Sequence, residues 1–281
     1  MGKIMERKYV CANGVVERTR FAVGDNTAEH RGWRKARENP YTQEKQEENQ
    51  RLEVRKLARI MNCNLDSSGF LVTLNYTETA YGKLFAEMEE DQILEESNHQ
   101  AALFLRRLKR KAGDGLKSVY ASSDRERNED GELEPARIHI HLVIMGATVE
   151  QIRDSWSHGD CTDVRSIYEH QEDYTPLAVY ILEQVRWRSG KKRYNCSRNM
   201  EKPKVYDRVI VGDAGDEIRV QPGAKVLDRS AHTEGTVVQY VRYLKRPGSR
   251  KRGGHKEKQA EGTENFMGGI SQCTSFEKSG G

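Results

Sequence analysis

The chain has 281 residues, 36% of them hydrophobic and 32% charged, which fits one sizeable domain with appendages or two small domains and is too apolar for general disorder. Its longest apolar runs, such as Leu142 to Met145, fall far short of the ~18 residues that cross a bilayer, and Met1 to Arg7 lacks the apolar stretch of a secretory signal. The net charge of +4 is too mild to name a polyanion partner; Cys11, Cys63, Cys161, Cys196 and Cys273 form no CxxC pair, which argues against a zinc ribbon or a disulfide framework and for reduced thiols.

In chain order, Lys8 to Cys11 and Val15 to Phe21 flank Asn13-Gly14 and predict a hairpin. A helical pattern follows from Tyr41 to about Asn64, with Leu52, Leu57, Ile60 and Met61 near a 3.6 period. Gly69 to Tyr76 reads as a strand. A long helix over about Glu87 to Lys111 is acidic early and basic late, as the helix dipole favours, and Gly113-Asp114-Gly115 stops it. Leu116 to Ser122 and Ala136 to Met145 predict a hairpin whose tip is a charged loop, Asp124 to Glu134. Further on come a helix near Thr148 to His158, a short strand at Val164 to Tyr168 and a helix from Pro176 to about Arg188. A strand at Val205 to Val211, an irregular excursion over Asp213 to Arg229 and a last strand over Thr236 to Leu244 complete the pattern. These mixed helices and strands predict an α+β fold. Residues 1–64 form an N-terminal hairpin and helix appendage, 65–245 the main domain, and 246–281 a disordered basic and polar tail.

The most informative string is Ile138-His139-Ile140-His141-Leu142. Alternation on a strand sends both imidazoles to one face and the apolar residues to the other, and side chains two apart can share a divalent ion. A histidine-triad hydrolase needs a third alternating His where Val143 stands, and a two-histidine phosphoesterase needs a second His-x-Thr/Ser string, which is absent. The remaining pattern, His-hydrophobe-His, is joined by Leu71-Val72-Thr73-Leu74-Asn75-Tyr76 before it, Leu177-Ala178-Val179-Tyr180-Ile181-Leu182-Glu183 about forty residues after it, and Ser197-Arg198-Asn199-Met200-Glu201-Lys202-Pro203. In this order the motifs resemble the HUH-type rolling-circle replication initiators, the replication-associated proteins related to the filamentous-phage initiator, over about Gly69 to Arg208.

The resemblance implies an HUH endonuclease domain over residues 65–245, a central antiparallel sheet of about five strands flanked by helices and related to ferredoxin-like and RRM-like sheets, with His139 and His141 holding a divalent metal (Mg²⁺ or Mn²⁺) and Tyr180 as the nucleophile. It implies nicking and rejoining of single-stranded DNA at an origin through a 5′-phosphotyrosine, with single-stranded or supercoiled origin DNA as partner. A third ligand is expected from the neighbouring strand: Asp124, with Glu126 second. Where many relatives place a Lys three residues after the tyrosine, this chain has Glu183. Between Glu183 and Arg208, nine Lys or Arg stand against three acids, interleaved with Trp187, Tyr194 and Tyr206; Arg186, Arg188, Lys192, Arg193, Tyr194 and Arg198 are the expected DNA contacts. No Walker A string is present, so a host or element helicase is expected to open the duplex, in a bacterial cytoplasm and away from membranes. A mobilisation relaxase, and a protein that holds single-stranded DNA without cutting it, remain the alternatives.

Overall fold

The computed structural model describes residues 3–23, 43–159, 163–170, 172–188, 191–210, 216–232 and 238–245, all within one compact unit, Met1–Pro247. The expected tail, 246–281, lies outside the described residues. The fold is α+β, with two antiparallel sheets of five strands each.

The first sheet contains β3 (Phe70–Leu74), β4 (Lys117–Arg127), β5 (Leu133–Met145), β6 (Asp163–Ser166) and β7 (Asn195–Cys196), in the order β6-β3-β5-β4-β7. The histidine strand β5 is central, and both its faces are covered. Val72, Leu74, Ile138, Ile140, Leu142 and Ile144 pack against Phe104 and Leu108 of α3 (Glu90–Ala112). On the other face Val119, Ala121 and Val143 meet Leu57, Ala58 and Met61 of α1 (Gln43–Asn64), and Leu177, Ala178 and Ile181 of α5 (Thr175–Glu183). The remaining helices are short, α2 (Glu78–Phe85) and α4 (Val149–Arg153).

The second sheet has the order β8-β1-β2-β10-β9, from β1 (Lys3–Val10), β2 (Val15–Val23), β8 (Lys204–Ile210), β9 (Lys225–His232) and β10 (Val238–Leu244). The N-terminal hairpin is thus its centre, with the strands that follow residue 203 laid on both sides of it. Strand β9 occupies part of the stretch expected to be irregular. Helix α1 carries Arg55 over the Tyr240 ring and Arg59 over Tyr9, and Arg59 pairs with the buried Glu17 at 2.8 Å, so one helix packs on both sheets.

Two differences from the expected pattern bear on the site. The ends of the charged stretch Asp124 to Glu134 are paired strand, Arg125 opposite Pro135 and Arg127 opposite Leu133, which narrows the loop to residues 128–132 with a turn at Gly131 (φ 82°). The charge of the stretch reflects a ribbon exposed beyond the helices. Helix α5 ends at Glu183 rather than near Arg188, with Gln184 as its cap.

Candidate metal centre and nucleophile

Residues directly opposed across a ladder share a face of the sheet. Ala121 opposes His141 and Ser123 opposes His139, while Thr73 opposes His141 from β3. The histidines therefore lie on the face covered by α1 and α5. Both are buried, at 7% and 3% exposure. Their Nε2 atoms stand 3.0 Å apart, and Gln184 Oε1 lies 2.8 Å from His141 Nε2. Gln184 follows Tyr180 by four residues, one helical turn, so the end of α5 presents both side chains to the histidines. The Tyr180 ring lies 5.3 Å from the His141 ring, centre to centre.

These groups line one cleft of about 460 Å³, with Thr73 and Asn75 from the end of β3, Asp163 from β6, and Glu126, Arg127 and Arg137 at the rim. The end of β3 is pinned: Trp156 Nε1 donates to the Asn75 carbonyl at 2.9 Å, and the Thr77 amide donates to the His158 carbonyl at 2.9 Å.

Second contacts orient the rings. His139 Nδ1 faces the Arg137 carbonyl at 2.9 Å, which only an N–H can satisfy, so neutral His139 carries its lone pair on Nε2 and turns it to the cleft. His141 Nδ1 lies 3.2 Å from Thr73 Oγ1, a hydroxyl able to donate or accept. Burial first, and then the nearby His139, push the His141 pKa down to about 4. That ring is neutral at physiological pH.

Among the described residues, no three His, Cys, Asp or Glu side chains gather to hold a metal. The convergent donors here are two imidazoles and an amide oxygen. Ligands about 2.1 Å from one ion and at right angles to each other stand about 3.0 Å apart; the observed separations of 3.0 and 2.8 Å match that spacing. With both Nε2 atoms and Oε1 turned inward, the donor set fits a divalent ion that accepts mixed N and O ligands.

Of the residues expected from sequence, His139, His141 and Tyr180 come together. Asp124 does not join them. It stands on the α3 face, one residue out of phase with Ser123, and binds the Arg186 amide (3.0 Å) and Arg188 Nη2 (2.7 Å). The register explains the correction: Val119 and Ala121 lie on the same face as the histidines and Tyr120 and Ser122 on the other, and Asp124, at an irregularity in the ladder, turns to Arg186 and Arg188. Glu126 reaches the rim of the cleft. Gln184 takes the position expected of an acid, and its spacing from Tyr180 is the signal that the sequence offered. Asp163 carried no such signal, because only the β3–β6 register (Thr73 opposite Asp163) brings it near.

The expected DNA contacts divide. Arg193 is buried: its guanidinium donates to the Leu182 and Val185 carbonyls at the end of α5 and pairs with Glu53 at 2.8 Å, which makes it a cap joining α5 to α1. Tyr194 is buried in the core against the same helices. Neither side chain is presented to a DNA strand. Arg186 pairs with Glu90 (2.8 Å) and Arg188 with Asp124 (2.7 Å), while Lys192 and Arg198 are exposed. Glu183 binds Arg127 through both carboxylate oxygens, at 2.9 and 2.7 Å, so an arginine from β4 is held at the rim beside the tyrosine helix.

Comparisons of the chain with protein-family models, with curated proteins and with solved structures gave no match. No helix among the described residues is long and apolar enough to cross a membrane.

Proposed function

We propose that the protein is a metal-dependent endonuclease that nicks and rejoins single-stranded DNA through Tyr180, in the manner of the HUH rolling-circle replication initiators. One observation carries the reading: a two-histidine strand and the tyrosine of a neighbouring helix open onto the same cleft, together with a third donor from that helix. A divalent ion held by His139, His141 and Gln184 would polarise a scissile phosphate. The residues of the chain supply the rest. Tyr180, after losing its phenolic proton to solvent in the open cleft, attacks phosphorus; the P–O3′ bond breaks, the 3′-oxygen gains a proton, and a 5′-phosphotyrosine remains. Attack by a 3′-hydroxyl reverses the step and rejoins the strand. Arg127 and Arg137 at the rim hold the flanking phosphates, and Thr73 and the Arg137 carbonyl keep both imidazoles in orientation. Origin DNA is the substrate on this reading and a bacterial cytoplasm the setting, with a separate helicase to open the duplex.

The test is adduct formation. Protein, Mn²⁺ and labelled single strands from its own genetic neighbourhood should give a covalent species on denaturing gels that Tyr180→Phe and a chelator each abolish. An adduct that survives Tyr180→Phe would place the nucleophile elsewhere. Tight, metal-independent binding of the same strands without any adduct would favour the binding protein.

A further inference from the structure

The second sheet has a cleft of its own, of about 610 Å³, which shares no lining residue with the first. Its chemistry follows from the register. Tyr206 of β8 opposes Lys8 of β1, which opposes Arg18 of β2; in the adjacent row Arg208 opposes Glu6, which opposes Arg20. All six side chains therefore share one face of the sheet. The opposite face carries Tyr9, Glu17 and Tyr240, which meet Arg55 and Arg59 of α1. The face with Lys8 is left to residues 216–224, where Ile218 packs on Val16, Val241 and Tyr243 at the β10 side and Arg219 lines the cleft. Toward β8 the face is open: Tyr206 is 55% exposed.

The electrostatics of this face are unbalanced. Glu6 is buried and engaged by three arginines, Arg18 (2.6 Å), Arg20 (2.9 Å) and Arg208 (2.9 Å). Asp207, the other carboxylate beside the cleft, opposes Arg7 in the alternate row, and its side chain is bound by Nε and Nη2 of Arg7 on the opposite face of the sheet. Positive charge remains in excess, with Lys8 and Arg219 beside it. The Lys8 ammonium is held below its ordinary pKa, first by burial and then by the like charges of Lys245, Arg18 and Arg208, as expected where an anion is wanted. Its ammonium also stands 6.0 Å from the centre of the Tyr206 ring. An exposed ring among oriented cations on an open antiparallel sheet meets the needs of an unpaired nucleotide, whose base stacks while its phosphates are neutralised.

We infer that this face is a second binding site, for single-stranded nucleic acid, with a base on Tyr206 and phosphates on Lys8, Arg208 and Arg219. It adds a grip outside the cleavage cleft and does not depend on the cleavage reading. An acidic polypeptide would satisfy the cations but leave the ring without a role.

The test is anisotropy of a labelled oligothymidylate bound by the full chain in chelator, over a range of salt. Tyr206→Ala should weaken binding by about tenfold at every salt concentration, and Tyr206→Phe should restore it. Lys8→Ala and Arg219→Ala should each lower the salt slope by about 0.7. Lys83→Ala, at an exposed position that lines neither cleft, should bind as wild type. Melting curves of Tyr206→Ala and Arg219→Ala, both at exposed positions, should overlay wild type. Affinity within about twofold of wild type for both these variants, with unchanged slope, overturns the inference. So does polyglutamate competing as well as oligothymidylate.

Discussion

Acid should destabilise the metal-free protein through His141. In the unfolded chain an imidazole titrates near ~6.5; in the fold burial and the neighbouring His139 hold His141 at about 4. Between these values the unfolded state binds a proton that the native state refuses, so stability from this group is complete above the unfolded pKa and falls as pH drops toward the folded one. The linkage gives a loss of about 2 kcal/mol between pH 8 and pH 5, approaching about 3 kcal/mol below pH 4. Urea unfolding in EDTA, followed by fluorescence of the buried Trp156, measures it. Other groups also titrate, so the relevant quantity is the difference between wild type and His141→Gln. The variant is expected to lose about 2 kcal/mol less than wild type between the two pH values. An equal loss in both proteins would mean that burial does not keep His141 neutral, and the neutral imidazole described for the site would go with it.

Arg59→Ala should cost about 3–5 kcal/mol, because it leaves the fully buried Glu17 carboxylate without its partner 2.8 Å away; urea midpoints read this, and Arg59→Ala with Glu17→Gln should recover part of the loss. Gly159→Ala should destabilise by about 1–3 kcal/mol, since a Cβ there meets the Asn75 carbonyl and, at 2.9 Å, the Thr77 amide nitrogen. It should also lower cleavage through displacement of the end of β3, measured as adduct yield at a temperature where the variant is folded. Gln184→Leu should weaken Mn²⁺ binding by about tenfold or more in calorimetry, and Gln184→Glu should strengthen it by adding a charge. Arg127→Glu should depress cleavage strongly, and the double swap Arg127→Glu with Glu183→Arg should recover it by returning a cation to the rim; a double variant no better than the single one would remove the rim cation from the mechanism.

Local pattern exposed much of the fold and part of the site. The alternation in Ile138 to Leu142 fixed two histidines on one face, and the charge gradient of α3 marked its ends within a few residues. What stayed hidden depends on pairings between distant segments. Nothing in residues 3–23 or 204–244 says that they pair with one another, since the second sheet arises from contacts about 200 residues apart. The place of Asp124 was misread for a related reason. A strand covered on both faces offers two inward sides, and knowing that Val119 and Ala121 are buried does not tell which side the histidines share. Only the pairing of Ala121 with His141 decides it, and Asp124 turns to Arg186 and Arg188. Arg193 and Tyr194 read as nucleic-acid contacts because basic and aromatic residues have one composition whether they face solvent or close a helix end.

The site exists because α5 stops where it does. Its Leu177, Ala178 and Ile181 cover the apolar half of one sheet face, at Val119, Ala121 and Val143. One residue after Glu183 the backbone leaves the helix, and the freed carbonyls of Leu182 and Val185 are taken by the buried Arg193. A helix continued to Arg188, as the sequence pattern suggested, would carry the Leu182 carbonyl in its own ladder and leave the buried Arg193 with little beyond Glu53. Stopping instead lets the cap residue Gln184 turn its amide onto His141, while Tyr180, one turn back, stays fixed to the packed part of the helix. Tyr180 and Gln184 are thereby positioned by the same apolar contacts that hold the sheet together. Loosening Arg193 from the α5 carbonyls is therefore expected to disturb the Gln184–His141 contact before it disturbs the core.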